Sequence, residues 1–310
     1  MTSHIEDTSE FQLKTIDGTS LFVRDWPLAG QLSGEQTAPV RHGIVIMHGL
    51  GEHCGRYAHV ARFFNALGFV VRTYDHRGHG KSGGARGDVP DEEAMLRDAR
   101  LVVNDFSRQL SAPPLLLGHS MGGLFAARFA TAGLAPLRGL ILSSPALALR
   151  MSAIQLLLLK AATALIPGVG VANGVNTRYL SHDKEVVQAY QNDVLVHPKI
   201  SARLLGSMLK SIDYAAGHAT QLKIPVLMIV AADDRLVDPA GSRRFFAQLP
   251  ASQATAHFYD GFYHEIFNEL DADRVFDDVR AWLDRQGLMP EPASLPGQAY
   301  SRPLSQPLSL

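Results

Sequence analysis

LLLGHSMGGLFAARFA, residues 115–130, runs an unbroken apolar stretch into a serine bracketed by glycines and then into an alanine-rich segment. Leucines in a row suit a strand buried on both faces, and the alanines, leucine and arginine after Gly123 suit a helix. A strand passing directly into a helix has to turn sharply, and the glycines flanking Ser120 remove the side chains that such a turn would crush. The serine therefore stands in a strained conformation at a helix N-terminus, where free backbone N–H groups favour negative charge. It is either turn punctuation or a nucleophile. What decides is whether the chain supplies a base, an acid to orient that base and donors for an oxyanion.

Outward from this stretch, the same kind of short apolar run recurs at 43–48, 69–75, 139–144, 224–231 and 254–259. Helical patterns fall between them at 57–67, 91–110, 120–132, 239–248 and 271–286. Ahead of them, FQLKTI and SLFVRDW flank Asp17-Gly18 as an opening hairpin. Strands alternating with helices predict an α/β fold with a mostly parallel, eight-stranded sheet covered on both sides. The rhythm stops between 148 and 220, where no strand pattern stands out and helix-like patches are separated by Gly, Pro and Asn. Roughly 70 residues is long for a plain crossover, so this stretch is expected to be a helical cap. The division predicted is a core at 1–147 and 221–287, a cap at 148–220 and a disordered tail at 288–310 that holds five prolines.

Composition narrows the function classes. The 310 residues are 46% hydrophobic and 19% charged, ordinary for a globular protein with a sizeable core. A formal net charge of −1 gives no footprint for nucleic acid. Cys54 is the only cysteine, so no intrachain disulfide forms. The polar start MTSHIEDTSE lacks a secretory signal, and the greasiest stretch, 151–166, carries Lys160 and is shorter than a membrane span. The expectation is a cytoplasmic protein, with attachment to a lipid surface left open.

Gly118-His119-Ser120-Met121-Gly122 matches the G-x-S-x-G nucleophile elbow in its required strand–turn–helix setting. On that fold the order along the chain is nucleophile, acid, base. Five of the thirteen histidines follow Ser120. His182, His197 and His218 fall in or beside the cap, and His257 lies inside a strand. His264, in the loop after the last strand, is the candidate base. His264-Glu265 begins like a zinc-binding H-E-x-x-H, but Asn268 holds the second histidine position, so no metal is expected. The acid should follow the strand at 224–231. Asp238 precedes Pro239 and reads as a helix N-cap; Asp233 and Asp234 both fit, and the residues alone do not separate them. The oxyanion donors are expected from the backbone of Met121, after the nucleophile, and of Leu50, in the glycine turn that follows the strand at 43–48.

HGLGEHCGRYAHVARFF (48–64), YDHRGHGKSGG (74–84), GHSMGG (118–123), AADDRLVDP (231–239) and YHEIFNE (263–269) together resemble the monoacylglycerol lipases, in the lysophospholipase-like and serine-aminopeptidase-like branch of the α/β-hydrolase fold. The resemblance runs in order over about residues 10–287, with the cap least matched. It implies a triad of Ser120, Asp234 and His264, because the family aspartate opens the run matched by Asp234-Arg235-Leu236. It also supports Leu50 and Met121 as oxyanion donors, and it places Glu52 and Arg56 near the polar head of the substrate or in a salt-bridged loop that shapes the site. Asp75, Arg77, Gly78 and Gly80 match a loop that supports the elbow, and His76, His79 and His119 are read as packing residues. Some members carry a histidine three residues after the catalytic one; here that position is Phe267.

The activity implied is hydrolysis of a monoacylglycerol ester through an acyl-enzyme, with no cofactor and no metal. Lysophospholipase, general carboxylesterase and aminopeptidase are the rival activities, and a non-catalytic lipid-binding relative is the rival outside enzymes. On a helical wheel of the segment at 151–166, Ser152, Gln155, Lys160 and Thr163 share an arc with Leu156 and Leu159. That helix has no clean polar face, so it either buries both sides or shows one to lipid. The partners expected are a small lipid ester and, through this helix, a membrane or micelle surface.

Overall fold

The computed structural model describes residues 8–28 and 42–290. Its centre is an eight-stranded sheet made of β1 (Ser9–Lys14), β2 (Ser20–Trp26), β3 (Gly43–Met47), β4 (Val70–Tyr74), β5 (Leu115–His119), β6 (Gly139–Ser143), β9 (Val226–Ala231) and β10 (Ala254–Tyr259). The strands lie in the order β1-β2-β4-β3-β5-β6-β9-β10. Only β2 runs against its neighbours, pairing antiparallel with β1 and β4; every other pair in this sheet is parallel. The hairpin joining β1 to β2 turns at Gly18, where φ is +81°.

The central strands β3, β5, β6 and β9 are nearly continuous apolar runs because both faces are covered. Val45, Met47 and Leu116 face one core cluster, together with α2 (Ala94–Ser107), α3 (Met121–Thr131) and Phe245 of α7 (Pro239–Phe246). Their neighbours Ile44, Ile46, Leu115 and Leu117 face the other, with α1 (Ala58–Ala66) and α8 (Ala272–Arg285). The alternation of a strand is thus present in direction but invisible in residue type. Leu288 is buried in the second cluster and its amide bonds to Leu283 O at 2.9 Å, so packed chain continues past the boundary expected at 287. The rest of the expected disordered tail, 291–310, lies outside the described residues.

Chain order places the site. After β3 the chain steps to β4 on one side and then returns to place β5 on the other side of β3. Loops leave the C-terminal ends of β3 and β5 in opposite directions there, which opens a crevice. Met47 pairs with Gly118, so the glycine turn after β3 and the serine after β5 are neighbours. β9 and β10 are also adjacent, with Ala231 paired to Tyr259, and their trailing loops carry the acid and base candidates.

The insertion between β6 and β9 holds α4 (Ala153–Leu165), α5 (Lys184–Asn192) and α6 (Ala202–His218). It is not wholly helical: β7 (Gly170–Ala172) and β8 (Lys199–Ser201) pair antiparallel as a separate two-stranded sheet. At three residues each, these strands are too short to leave a period in the sequence. α6 buries Leu204, Met208 and Ala215 in the first core cluster and packs along α3, whereas α4 has no buried residue.

Candidate active site

Ser120 sits between β5 and α3 with φ 53° and ψ −117°, a conformation that costs a non-glycine residue about 1–3 kcal/mol. The surroundings leave little choice. Its amide donates to Ser143 O of β6 at 3.0 Å, and its carbonyl accepts from Leu124 and Ala146, each at 3.0 Å. Space explains two of the glycines: a Cβ on Gly118 would lie 2.4 Å from Gly122 O, and one on Gly122 would lie 2.3 Å from Met47 O.

The expected base and acid meet the serine. His264 Nε2 lies 2.8 Å from Ser120 Oγ, and its Nδ1 lies 2.6 Å from Asp234 Oδ2. Asp234 Oδ1 accepts from the amides of Leu236 (2.8 Å) and Val237 (3.0 Å), which fixes the carboxylate plane. Burial alone would lower the His264 pKa. The charge and hydrogen bond of Asp234, helped by Glu265 and Glu52, reverse that and hold it above 6.5. Burial would likewise raise Asp234, but His264 and the two amides keep it below 3.8. Asp233 is exposed and accepts from the Gly261 amide at 2.5 Å, so the pair left open by the residue types divides into a loop anchor and a partner for the imidazole. Asp238 caps α7 by accepting from Ala240 N, as its place before Pro239 suggested.

The turn after β3 is locked by its own histidine. His48 Nδ1 contacts Gly49 O at 2.7 Å, its Nε2 accepts from His76 N at 2.9 Å, and His76 Nε2 reaches back to His48 O at 3.0 Å. Burial holds both rings neutral, His76 at about 4 and His48 well below its ordinary range, with His76 and His79 adding to the effect at His48. Glu52 accepts the Gly49 amide at 2.6 Å. Leu50 and Met121 both line the cleft at Ser120, and among the described residues neither amide has a backbone acceptor.

Glu52 and Arg56 part company. Glu52 lines the cleft, but Arg56 does not. The Arg56 guanidinium bonds Glu52 and both oxygens of Glu265, the latter at 2.7 Å each, and stacks over Tyr190. Of the two places the resemblance offers Arg56, the geometry gives it the salt-bridged loop: it ties the turn after β3 to the loop of His264. Glu265 also accepts from Asn268 at 2.8 Å, and the described residues contain no cluster of three metal-ligating side chains. His119 bonds Ser143 Oγ at 3.0 Å, and burial with the nearby His264 holds it at about 4. Phe267 is buried against Phe276 and does not line the cleft.

The cleft holds about 130 Å³, and its walls come from both sides. Leu50, Leu236 and Val237 come from the loops after β3 and β9 and Met121 from the start of α3; Leu180, Tyr190, Ile200 and Met208 come from the insertion. None of these insertion residues was legible as a site residue, because each is an ordinary apolar or aromatic type far along the chain from Ser120. Among the described residues, no lysine or arginine lines the cleft.

The profile of the family described as Serine aminopeptidase, S33 matches residues 38–271. The chain is 35% identical to a monoacylglycerol lipase of Mycolicibacterium smegmatis over 77% of this chain and 87% of that one. It is 33% identical to Phospholipase YtpA of Bacillus subtilis, over 78% and 95%. Among solved structures, the monoacylglycerol lipase of Paleococcus ferrophilus superposes with a TM-score of 0.77 at 32% identity, covering 86% of this chain and 99% of that one. A profile match of that length, with relatives a third identical across nearly their whole length, makes the chain a member of the serine aminopeptidase, S33 family, built on the α/β-hydrolase fold.

Proposed function

We propose that the chain hydrolyses the ester bond of monoacylglycerols to fatty acid and glycerol, through an acyl-enzyme on Ser120. The observation that carries this reading is the hydrogen-bonded series Ser120–His264–Asp234 on the floor of a cleft with largely apolar walls. His264 Nε2 takes the Oγ proton as Oγ bonds to the ester carbon, while Asp234 holds the tautomer and stabilises the imidazolium. The Leu50 and Met121 amides receive the oxyanion. His264 then gives its proton to the departing glycerol oxygen, and a water deprotonated by His264 releases the fatty acid.

The charge of the cleft argues for a neutral head group. Glu52 and Glu265 line it and share the guanidinium of Arg56, so a phosphodiester would meet two carboxylates with no lysine or arginine among the described residues of its lining. This favours monoacylglycerol over lysophospholipid. A panel of monoacylglycerols, lysophosphatidylcholine, p-nitrophenyl esters and aminoacyl amides tests the reading. Monoacylglycerol is expected to exceed lysophosphatidylcholine in kcat/KM by about tenfold or more, a difference of roughly 1.4 kcal/mol; equal rates would sink it.

We propose further that residues 148–220 work as a cap whose α4 rests on the lipid surface that delivers substrate. No described helix is long and apolar enough to cross a membrane. Yet Ile154, Leu157, Leu158 and Leu165 are 62–80% exposed, an apolar face that water alone does not favour. Leu157→Ser with Leu158→Ser is expected to lower activity on micellar substrate and spare a soluble ester; unchanged activity on both rejects docking through α4.

A further inference from the structure

One buried carboxylate at the site has no place in this chemistry. Glu269, at the end of YHEIFNE, has a side chain only 3% exposed, five residues beyond the candidate base. Its Oε1 accepts from the Tyr263 amide at 2.6 Å and contacts His182 Nδ1 at 2.9 Å; its Oε2 accepts from the His182 amide at 3.2 Å and from the Leu270 amide at 3.4 Å. Tyr263 immediately precedes His264, and His182 belongs to the insertion.

The neighbouring bonds give this placement its meaning. The amides of His264 and Glu265 take no acceptor from the sheet or from their own loop. They donate to Tyr179 O at 3.3 Å and Leu180 O at 2.8 Å, both in the insertion. Ser181 Oγ donates to Asn268 O at 2.7 Å, and the His182 ring stacks on Tyr263 with centroids 3.7 Å apart. Of the three consecutive amides centred on His264, two are therefore held from the insertion by its main-chain carbonyls, and the third by a carboxylate of the same loop that also grips the insertion.

A general base on a loop is only as well placed as the bonds holding that loop, and displacement of about 1 Å costs roughly a hundredfold in rate. We infer that Glu269 is a positioning residue for His264: its carboxylate clasps His182 to the Tyr263 amide, so that the carbonyls of Tyr179 and Leu180 hold the imidazole between Asp234 and Ser120. This rests on the proposed role of His264 as base. It also makes the insertion a part of the catalytic apparatus in addition to a cover.

Glu269→Gln keeps the shape but turns an amide NH₂ toward the donors; His182→Ala removes the ring donor from the other side, at a side chain 40% exposed, with little risk to folding. The assay is the second-order rate of fluorophosphonate labelling of Ser120, beside kcat and KM on a soluble p-nitrophenyl ester, all well below each variant's Tm. A displaced base lowers kcat and labelling together and leaves KM alone; a purely structural role lowers Tm and leaves both rates alone. The expectation is a fall of about tenfold or more in kcat and labelling for Glu269→Gln, and of a few-fold for His182→Ala, with KM within about twofold. Should both folded variants label and turn over within twofold of wild type, the positioning role is overturned. The labelling rate is independent of lipid preference, so a wild-type enzyme that labels but ignores monoacylglycerol would refute the substrate reading and leave this test intact.

Discussion

Arg56→Met separates the two roles a cation at this position can have. The guanidinium makes three bonds to two carboxylates whose side chains are only 4% and 5% exposed. After its removal Glu52 keeps the Gly49 amide and Tyr57 hydroxyl, but Glu265 keeps Asn268 alone among these partners. Breaking a buried ion pair from one side costs about 3–5 kcal/mol, because an unpaired charge is left in a low dielectric. At about 2 °C or a little more per kcal/mol for a chain of this size, Tm should fall by roughly 6–12 °C. The oxyanion turn loosens through Glu52, so kcat should drop about tenfold or more, short of the hundredfold or greater loss of a whole oxyanion donor. KM on a soluble ester should hardly change.

Acid supplies a second signature of the same variant. Burial pushes Glu265 up, but Arg56 outweighs it and holds the carboxyl below 4.5 in the native protein. A depressed folded pKa contributes stability that is complete above about 4.5 and is lost as pH falls below it. In Arg56→Met the sign reverses: burial without the cation raises the carboxyl, so lowering the pH from 7 protonates Glu265 and relieves the penalty. The Tm gap between wild type and variant should therefore narrow from pH 7 toward 4.5. Melting curves across that range, with steady-state kinetics at pH 7, check both parts. A raised KM with unaltered Tm would show that Arg56 holds the substrate head and would refute the brace.

The raised pKa of His264 means that kcat/KM on a p-nitrophenyl ester should fall on the acid side through a value above 6.5, since only the neutral imidazole accepts the serine proton. Asp234→Asn should cost about 10⁴ in kcat and move that limb to lower pH; a limb that stays in place means another group sets it. Gly122→Ala forces a Cβ to within 2.5 Å of two backbone carbonyls, Met47 O and His48 O, and should destabilise by about 3 kcal/mol or more. Gly133→Ala meets nothing within 4 Å and carries only the strain of φ +60°, so about 1 kcal/mol and unchanged activity are expected. Thermal melts of the two alanine variants that rank them equally would show that the elbow is not sterically closed.

The central strands were legible because a strand covered on both faces is a continuous apolar run, the opening pair because Asp17-Gly18 marks its hairpin, and the elbow because its glycines stand where a Cβ has no room. Asp233 and Asp234 were not separable from residue types, since either carboxylate satisfies the chemistry. What separates them is geometry at a strand end: one stays in solvent and takes Gly261 N, while its neighbour turns inward to His264. Arg56 was ambiguous for a similar reason, as a guanidinium looks the same in a sequence whether it meets a substrate or two glutamates. The carbonyls of Tyr179 and Leu180 lie beyond such reading altogether, because a main-chain acceptor leaves no trace in residue identity.

Those carbonyls constrain how the insertion can move. If all of it swung open, the His264 and Glu265 amides would lose their acceptors, and Gly51 O would lose the His197 amide that holds it at 2.8 Å beside the oxyanion turn. The site would then be open and disassembled at once. α4 is differently held: it buries no residue, packs mainly on α6, and its capping bonds, between Ser152 and Gln155, are its own. It can shift without touching a bond to either catalytic loop. The contact with a lipid surface proposed for α4 is therefore compatible with an insertion whose remaining parts stay clamped to the loops. Substitutions on α4 should change KM for lipid and leave kcat on soluble esters alone, whereas substitutions at the two clamps should do the reverse.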